Sequence, residues 1–244
     1  MKKYFYLFIS LFLINQSFAQ YATRLLPLNN YKIIIGAGTS IYWGAGRLLS
    51  LPKKSNPNEL SAAYTAGFYK TFNDRFEIGF RYDHADLKGQ RFGKSWGATT
   101  FFNTTLDDIN IQTNISLNHN LYLRDDFYTI NLIAGIGAAN YSATLAYVDP
   151  YLIKNSVGIG RTGINDLPEK QIAFYGTFGI GYHVRLNQLL SIGIDNMLNL
   201  TNTKNLTGLI NNSQITKMHD SYTVHVLTIG LRLGKGNKLF CTRL

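Results

Sequence analysis

Large aliphatic side chains alternate with small or polar ones near the end of the chain, over Leu227–Leu233. The aliphatic positions share one face of a strand, and Thr228, Gly230 and Arg232 share the other, because a β-strand has a side-chain period of two. In a soluble sandwich the apolar face would point into a core. In an outer-membrane barrel it faces lipid, and the polar face lines the interior. The rest of the chain must decide between these two folds.

The same alternation recurs in seven earlier segments. It is clearest over residues 108–117, where Ile109, Ile111 and Ile115 alternate with polar residues. A helix would scatter these isoleucines around its axis, so the period indicates a strand. The eight predicted strands are residues 31–42, 60–70, 76–83, 108–117, 127–138, 171–186, 190–200 and 221–233.

The connections between these strands alternate in length. Those after the first, third, fifth and seventh strands are long, and the others are short. This alternation is typical of outer-membrane barrels, which have long external loops, short periplasmic turns and an even number of strands. The sequence therefore predicts an all-β fold, an eight-stranded antiparallel up-and-down transmembrane β-barrel of outer-membrane type with both termini in the periplasm. A soluble lipocalin-like barrel or sandwich is the alternative.

The first 19 residues have the features of a secretory signal peptide. Lys2 and Lys3 precede the apolar run 4–14, and Ser17-Phe18-Ala19 gives a small-x-small pattern before Gln20. The apolar run is shorter than the roughly 20 helical residues that a membrane anchor needs. We therefore expect a signal peptide over residues 1–19, a barrel domain over 20–234 and a short basic periplasmic tail over 235–244.

Composition narrows the classes of partner. Loss of Lys2 and Lys3 with the signal peptide lowers the formal charge from +10 to +8. For a basic exported protein, anionic lipid head groups are nearer partners than nucleic acid. The expected partners are outer-membrane lipid, lipopolysaccharide and other envelope or secretion proteins. The single cysteine, Cys241, excludes an intramolecular disulfide and a cysteine metal cluster.

Charged residues occupy the inner faces of the predicted strands. Buried charges require partners, and eight strands enclose a space that side chains largely fill. We therefore expect an ion-pair network that plugs the lumen, with a narrow conducting path for protons or small solutes as the alternative. The network would comprise Lys32, Glu77, Arg81, Asp83, Asp108, Arg185, Asp195 and Arg232.

Aromatic residues lie near the predicted strand ends, where girdles of membrane barrels occur. High strand propensity of tyrosine is the other explanation for these positions. The predicted girdles hold Tyr31, Phe76, Tyr128 and Tyr182 at the periplasmic side, and Tyr42 and Tyr82 at the outer side.

Cations are frequent in the predicted external connections. They could neutralise lipopolysaccharide phosphates, or they could belong to solvated loops without a ligand. The candidate lipopolysaccharide contacts are Arg47, Lys53, Lys54, Lys88, Arg91 and Lys94.

Motifs for catalysis or cofactor binding are weak. Residues 89–95 (G-Q-R-F-G-K-S) are one residue short of a phosphate-binding loop. His219 and Ser221 have the His-x-Ser spacing of some outer-membrane lipid A deacylases, but only cations follow them, so the acid that would orient the histidine is missing. We expect no enzyme activity, no cofactor and no metal site, with lipid A modification as the enzymatic alternative.

Three segments carry a resemblance to a known family. They read G-A-G-T-S-I-Y-W-G-A-G at 36–46, R-Y-D-H-A-D-L-K-G at 81–89 and T-F-F-N-T-T-L-D-D-I-N-I-Q at 100–112. They resemble small outer-membrane barrels of Bacteroidota, in particular the PorG-type family. The resemblance implies an outer-membrane barrel that acts as an accessory of the type IX secretion machinery. It carries over no catalytic residue.

Overall fold

A computed structural model describes residues 30–43, 60–73, 75–92, 99–118, 128–147, 153–159, 167, 169–187, 189–208 and 219–233. The predicted signal peptide and the basic tail lie outside the described residues. The described residues form nine strands: β1 Tyr31–Tyr42, β2 Ser61–Asn73, β3 Phe76–Phe92, β4 Thr99–Ser116, β5 Tyr128–Tyr147, β6 Ile153–Val157, β7 Gln171–Arg185, β8 Leu190–Thr201 and β9 Ser221–Leu233.

Eight of the strands close into a ring. β1 pairs with both β2 and β9, and the β4–β5 and β5–β7 pairings complete the circle, every neighbouring pair being antiparallel. Short β6 stands outside the ring and pairs with β5, and its Val157 also forms an isolated bridge with Leu167. The predicted fold is therefore confirmed: the chain is an all-β, eight-stranded, up-and-down barrel. The described residues contain no helix that is long and apolar enough to cross a membrane.

The two ends of the barrel differ. At the end called here the termini end, Tyr31 pairs with Leu233, so the first and last strands begin and finish together. The opposite end, the loop end, carries the three longest connections, those after β1, β5 and β8, and the extensions of β3, β4 and β5. The ring strands have the inward and outward alternation that the sequence predicts.

Large apolar side chains cover the outside of the ring strands. Ile136 is 71% exposed and Ile109 is 62% exposed, whereas Arg81 on the inner face is 1% exposed. This exposed surface, called here the apolar belt, comprises Ile33, Ile35, Phe68, Phe80, Ile109, Ile111, Ile115, Leu132, Ile136, Ile172, Phe174, Phe178, Ile180, Ile192, Ile194, Leu200, Leu227, Ile229 and Leu231.

Three strands extend further than the sequence pattern predicts. Residues 84–92, 99–107 and 139–147, which we expected to be connections, are strand, and β6 was not predicted. Along 101–107 the inward residues Phe102, Thr104 and Leu106 are buried, but most outward positions become polar. The apolar outward pattern in the sequence therefore ends before the strand itself ends. The β3–β4 link is only residues 93–98, shorter than the 117–127 link that we expected to be a short turn.

The interior is polar at the termini end and mid-barrel but mainly apolar at the loop end. The mid-barrel charges include Arg81, Asp83 and Asp195, each at most 2% exposed. We expected a polar lining throughout, so the apolar part is a finding of the structure. Its buried members include Ala63, Ala85, Leu87, Phe102, Leu106, Tyr141, Ala143, Leu145, Leu206, Val224 and Val226.

The predicted girdles are partly corrected. Tyr31 stacks on Phe68 with ring centroids 5.1 Å apart, and Tyr128 stacks on Tyr182 at 5.9 Å. Tyr42, expected in the outer girdle, instead packs edge-on against the inward-facing Phe102 at 4.8 Å. Tyr42 lies on the same face of β1 as the inward residues at even positions. The girdle prediction considered only its place near the strand end.

Candidate functional site

Arg81 is the centre of the mid-barrel charge cluster. Its Nε donates to Asp83 Oδ1 at 2.9 Å, and its Nη1 donates to Asp195 Oδ2 at 3.0 Å. His183 Nε2 lies 2.7 Å from Asp195 Oδ1. The carboxylate of Asp195 fits here because Gly181 has no side chain: a Cβ at that position would lie 2.6 Å from Oδ1. The cluster thus joins β3 to β7 and β8 across the lumen.

Asp108 lies against two tyrosines. The hydroxyl of Tyr175 donates to Oδ1 at 2.6 Å, and that of Tyr222 donates to Oδ2 at 2.9 Å. Asn110 Nδ2 connects this group to the charge cluster, at 3.1 Å from the Tyr175 hydroxyl and 3.3 Å from Asp83 Oδ2. We expected Asp108 to take part in ion pairs and assigned Tyr222 no role. The alternation along β9 could have placed Tyr222 in the lumen, because it shares a face with Thr228, Gly230 and Arg232.

A second ion pair lies nearer the termini end. Lys32 Nζ is 2.7 Å from Glu77 Oε2, and the ammonium stands 5.7 Å from the ring centre of Tyr69. Thr71 Oγ1 donates to Glu77 Oε1 at 3.2 Å, and Asn114 Nδ2 donates to Oε2 at 3.4 Å. Glu77 therefore accepts from three neighbouring side chains. The remaining predicted charges, Arg185 and Arg232, are half-buried near the same end.

A folded-in connection closes the loop end. Residues 201–208, called here the cap segment, place Leu206 inside the apolar part of the lumen with 0% exposure. The amide of Leu206 donates to Asp220 Oδ2 at 3.0 Å, and its carbonyl accepts from Thr104 Oγ1. The Tyr42 hydroxyl donates to Asp220 Oδ1 at 2.6 Å. Burial raises the pKa of Asp220, which lies in the loop before β9.

The cap segment was missed because an Asn- and Thr-rich connection has no hydrophobic period. Its geometry depends on side-chain bonds to the backbone: Thr201 Oγ1 donates to the Asp220 carbonyl at 2.7 Å. Gly208 adopts a φ of 73°, which favours glycine. The conformation of the cap segment depends on acceptors in Asp220. Because Asp220 is remote in the sequence, no local pattern identifies it.

Of the candidate lipopolysaccharide contacts, only Lys88 has a described side chain. It is exposed on the outer side of β3, on the extension beyond the apolar belt. The side chains of Arg47, Lys53, Lys54, Arg91 and Lys94 lie outside the described residues.

The described residues do not form the His-x-Ser pair of a hydrolase. His219 Nδ1 donates to the Asn202 carbonyl at 3.0 Å. The Ser221 hydroxyl is buried and has no hydrogen-bond partner, although a nucleophile would contact its base. Asp220 bonds to the cap segment instead. The described residues also contain no group of three or more His, Cys, Asp or Glu side chains that could hold a metal ion.

No protein-family model and no curated protein matches the chain. Solved structures with a similar fold include Ail, the attachment invasion locus protein of Yersinia pestis, with a TM-score of 0.42, 10% identity and coverage of 83% of this chain and 98% of that one. Neisserial surface protein A has a TM-score of 0.41, 8% identity and coverage of 84% and 97%. A major outer membrane protein from Thermus thermophilus has a TM-score of 0.45, 9% identity and coverage of 82% and 98%.

Proposed function

We propose that the protein is a non-enzymatic outer-membrane β-barrel, a structural or accessory component of the cell envelope. The loop end faces outside and both termini lie in the periplasm. The observation that carries this proposal is the distribution of side chains: Ile109, Ile111 and Ile136 are exposed on the wall, while Arg81 is buried inside. A soluble barrel has the opposite distribution. Only contact with acyl chains makes such a wall favourable.

The filled lumen favours an accessory role over a pore. Three successive layers occupy it: the Lys32–Glu77 pair, the Arg81 cluster, and the apolar side chains around Leu206. Hydrated solutes would have to break charge-assisted bonds and then cross an apolar layer. We therefore expect the barrel to hold its interior shut and to act through its outer surfaces.

Conductance across a planar lipid bilayer tests the closed lumen. The full mature chain should insert without producing steady openings. Steady openings of wide-channel size would contradict the closed lumen and would favour the alternative of a pore. Heat-modifiable migration on a gel should verify in the same preparation that the barrel has folded. The absence of openings can then be attributed to a closed lumen and not to failed folding.

A role as an accessory of type IX secretion is the finer form of this proposal. Its support is the resemblance of segments 36–46, 81–89 and 100–112 to the PorG-type family. Segments 81–89 and 100–112 lie on paired strands, with Lys88 opposite Asn103. Ser40 in the first segment donates to the Asp86 carbonyl in the second. The three segments therefore adjoin at the loop end of one side of the barrel, which we propose as the docking side.

Co-purification from detergent-solubilised envelopes tests the docking side. Secretion components identified by mass spectrometry should accompany the tagged protein, and they should decrease with Lys88→Glu. Lys70→Glu, an exposed cation toward the termini end, is the matched control and should have no effect. Absence of secretion components from the wild-type preparation would contradict the finer proposal and leave the barrel assignment intact.

A further inference from the structure

The outer wall of the barrel carries a shallow, open groove of about 880 Å³ in the loop-end part of the apolar belt. This wall groove extends from Phe80 on β3 across β4, β5 and β7 to β8. Its lining is almost entirely apolar until it reaches Asn202 and His219 at the loop end. Apolar side chains that line it include Phe80, Ile109, Ile111, Ile136, Phe174 and Leu200.

The floor of the groove is made by two small residues. Gly176 pairs with Ile136 on one side and with Leu200 on the other, and Ala138 pairs with Phe174. Gly176 and Ala138 are therefore diagonal neighbours, and a path runs over both of them between Ile136 and Phe174. Large neighbours around a small floor produce a trough instead of a flat wall.

Gly176 is unlike the other strand glycines that the structure describes. Those face the lumen, and a Cβ on any of them would lie 2.8 Å or less from a neighbouring atom. Gly176 faces outward, and a Cβ there would meet nothing nearer than Phe178 Cε2 at 3.8 Å. Packing within the chain therefore does not require glycine at this position. The missing side chain leaves room for something outside the chain.

Polar groups border the loop end of the groove. In the strand register, Asp107 lies opposite Asn140, one outward position beyond Ala138. The Asp107 carboxylate accepts from the Tyr82 hydroxyl at 2.9 Å and contacts His84 Nδ1 at 2.8 Å. Lys170 Nζ stands 3.6 Å from its other oxygen and is about half exposed, which leaves ammonium donors for another group. The groove thus joins an apolar trough to a polar rim.

We propose that the wall groove binds an acyl chain of lipid A, whose phosphorylated head group lies against Lys170 and His219. This inference rests on the proposed function, which places the loop end in the outer leaflet. The groove is continuous with the apolar belt, so acyl chains already surround it. A peptide could not add as a strand here, because β4, β5, β7 and β8 are each paired on both sides.

Lipid retention by the full mature chain tests the proposal. The chain is folded into phosphatidylethanolamine vesicles with and without lipid A, extracted in mild detergent and examined by native mass spectrometry. The wild type should retain one lipid A, and Gly176→Phe, which fills the trough, should lower the retained fraction at least tenfold. Ala66→Phe, an outward position on distant β2, is the matched control and should retain lipid A as the wild type does.

Two further variants test lipid A retention without relying on Gly176→Phe alone. Ala138→Leu fills the other part of the floor and should reduce retention even if Gly176→Phe fails to fold. Lys170→Gln should weaken retention of phosphorylated lipid A several-fold while leaving retention of a dephosphorylated form unchanged. Equal loss of both forms would overturn the placement of the head group.

The remaining outcomes separate this inference from the proposed function. Equal retention by the wild type and the filled variants would overturn the groove as the site. Equal retention of phosphatidylethanolamine would overturn lipid A as the ligand, and a dimer abolished by Gly176→Phe would identify a second copy as the occupant. If every variant folds by heat-modifiable migration but none retains lipid, only the groove inference fails. If the wild type itself does not fold in vesicles, the proposed function fails.

Discussion

At the scale of single residues, the molecule depends on buried charges that pair with one another inside the lumen. Arg81 bonds two carboxylates and is itself almost inaccessible. Desolvation of such groups is costly, and the cost is offset only when every member keeps its partner. Replacing one charged residue of a pair should therefore destabilise the folded barrel more than replacing both.

Arg81→Met should destabilise the folded barrel by about 3–5 kcal/mol, because it leaves Asp83 and Asp195 without their shared cation. Urea unfolding in phospholipid vesicles, followed by tryptophan fluorescence, measures the change. Adding Asp195→Asn to the variant should recover part of the loss, since a double-mutant cycle isolates the pair. A loss below about 1 kcal/mol would show that the cluster is not coupled in this way.

Asp220 gives the cap segment a predictable response to pH. Because burial raises its pKa in the folded state, the folded chain keeps a proton where the unfolded carboxyl, with a pKa of about 3.9, has released it. The stability that Asp220 contributes is therefore greatest at low pH and is lost as pH rises through the folded pKa. The advantage of the wild type over Asp220→Asn in unfolding free energy should shrink from about pH 3 to about pH 8. An advantage that grows with pH would show that the Tyr42 and Leu206 bonds outweigh burial.

At the scale of elements, the connections determine how the lumen is closed. The cap segment folds inward instead of extending away from the barrel, and Leu206 completes the apolar layer. The extensions of β3, β4 and β5 surround this layer from the other side. The loop end is consequently a packed structure with its own core.

Leu206→Ala should destabilise the loop end by about 2–5 kcal/mol, since it removes a fully buried side chain from a packed site. Hydrogen exchange of the amides in residues 201–208 and in the loop-end part of β4 should accelerate, while exchange near the termini end stays unchanged. Leu227→Ala, on the outer wall, is the control and should leave the cap segment protected. Equal effects of the two substitutions would contradict the closure described here.

The sequence predicted some elements to the residue and missed the ends of others, for a physical reason. β1 and β9 match their predicted bounds. β3, β4 and β5 continue beyond the belt, where outward positions such as Asn103 and Thr105 are polar, so the apolar signal disappears while pairing persists. The inward charges were also predictable from parity. Their partners were not, because Arg81 and Asp195 meet across the lumen, 114 positions apart in the chain.

At the scale of the whole molecule, the barrel is inverted relative to a soluble protein. Among the described residues, the mid-barrel charges and most strand glycines lie inside, and most isoleucines and phenylalanines lie outside. The closed ring pairs every barrel strand with two neighbours, so no ring strand presents a free edge within the belt. Closure and the apolar wall together explain how strands of alternating polarity can cross a bilayer.

Assembly of Ile111→Arg tests the orientation of the wall most directly. Ile111 is half exposed in the belt, and a cation at mid-membrane costs roughly 2–4 kcal/mol. Asn103→Arg, on the outward face of the same strand but beyond the belt, is the matched control. We predict that the Ile111→Arg chain loses heat-modifiable insertion into vesicles while the Asn103→Arg chain keeps it. Unimpaired insertion of both chains would contradict the assignment of this wall to lipid.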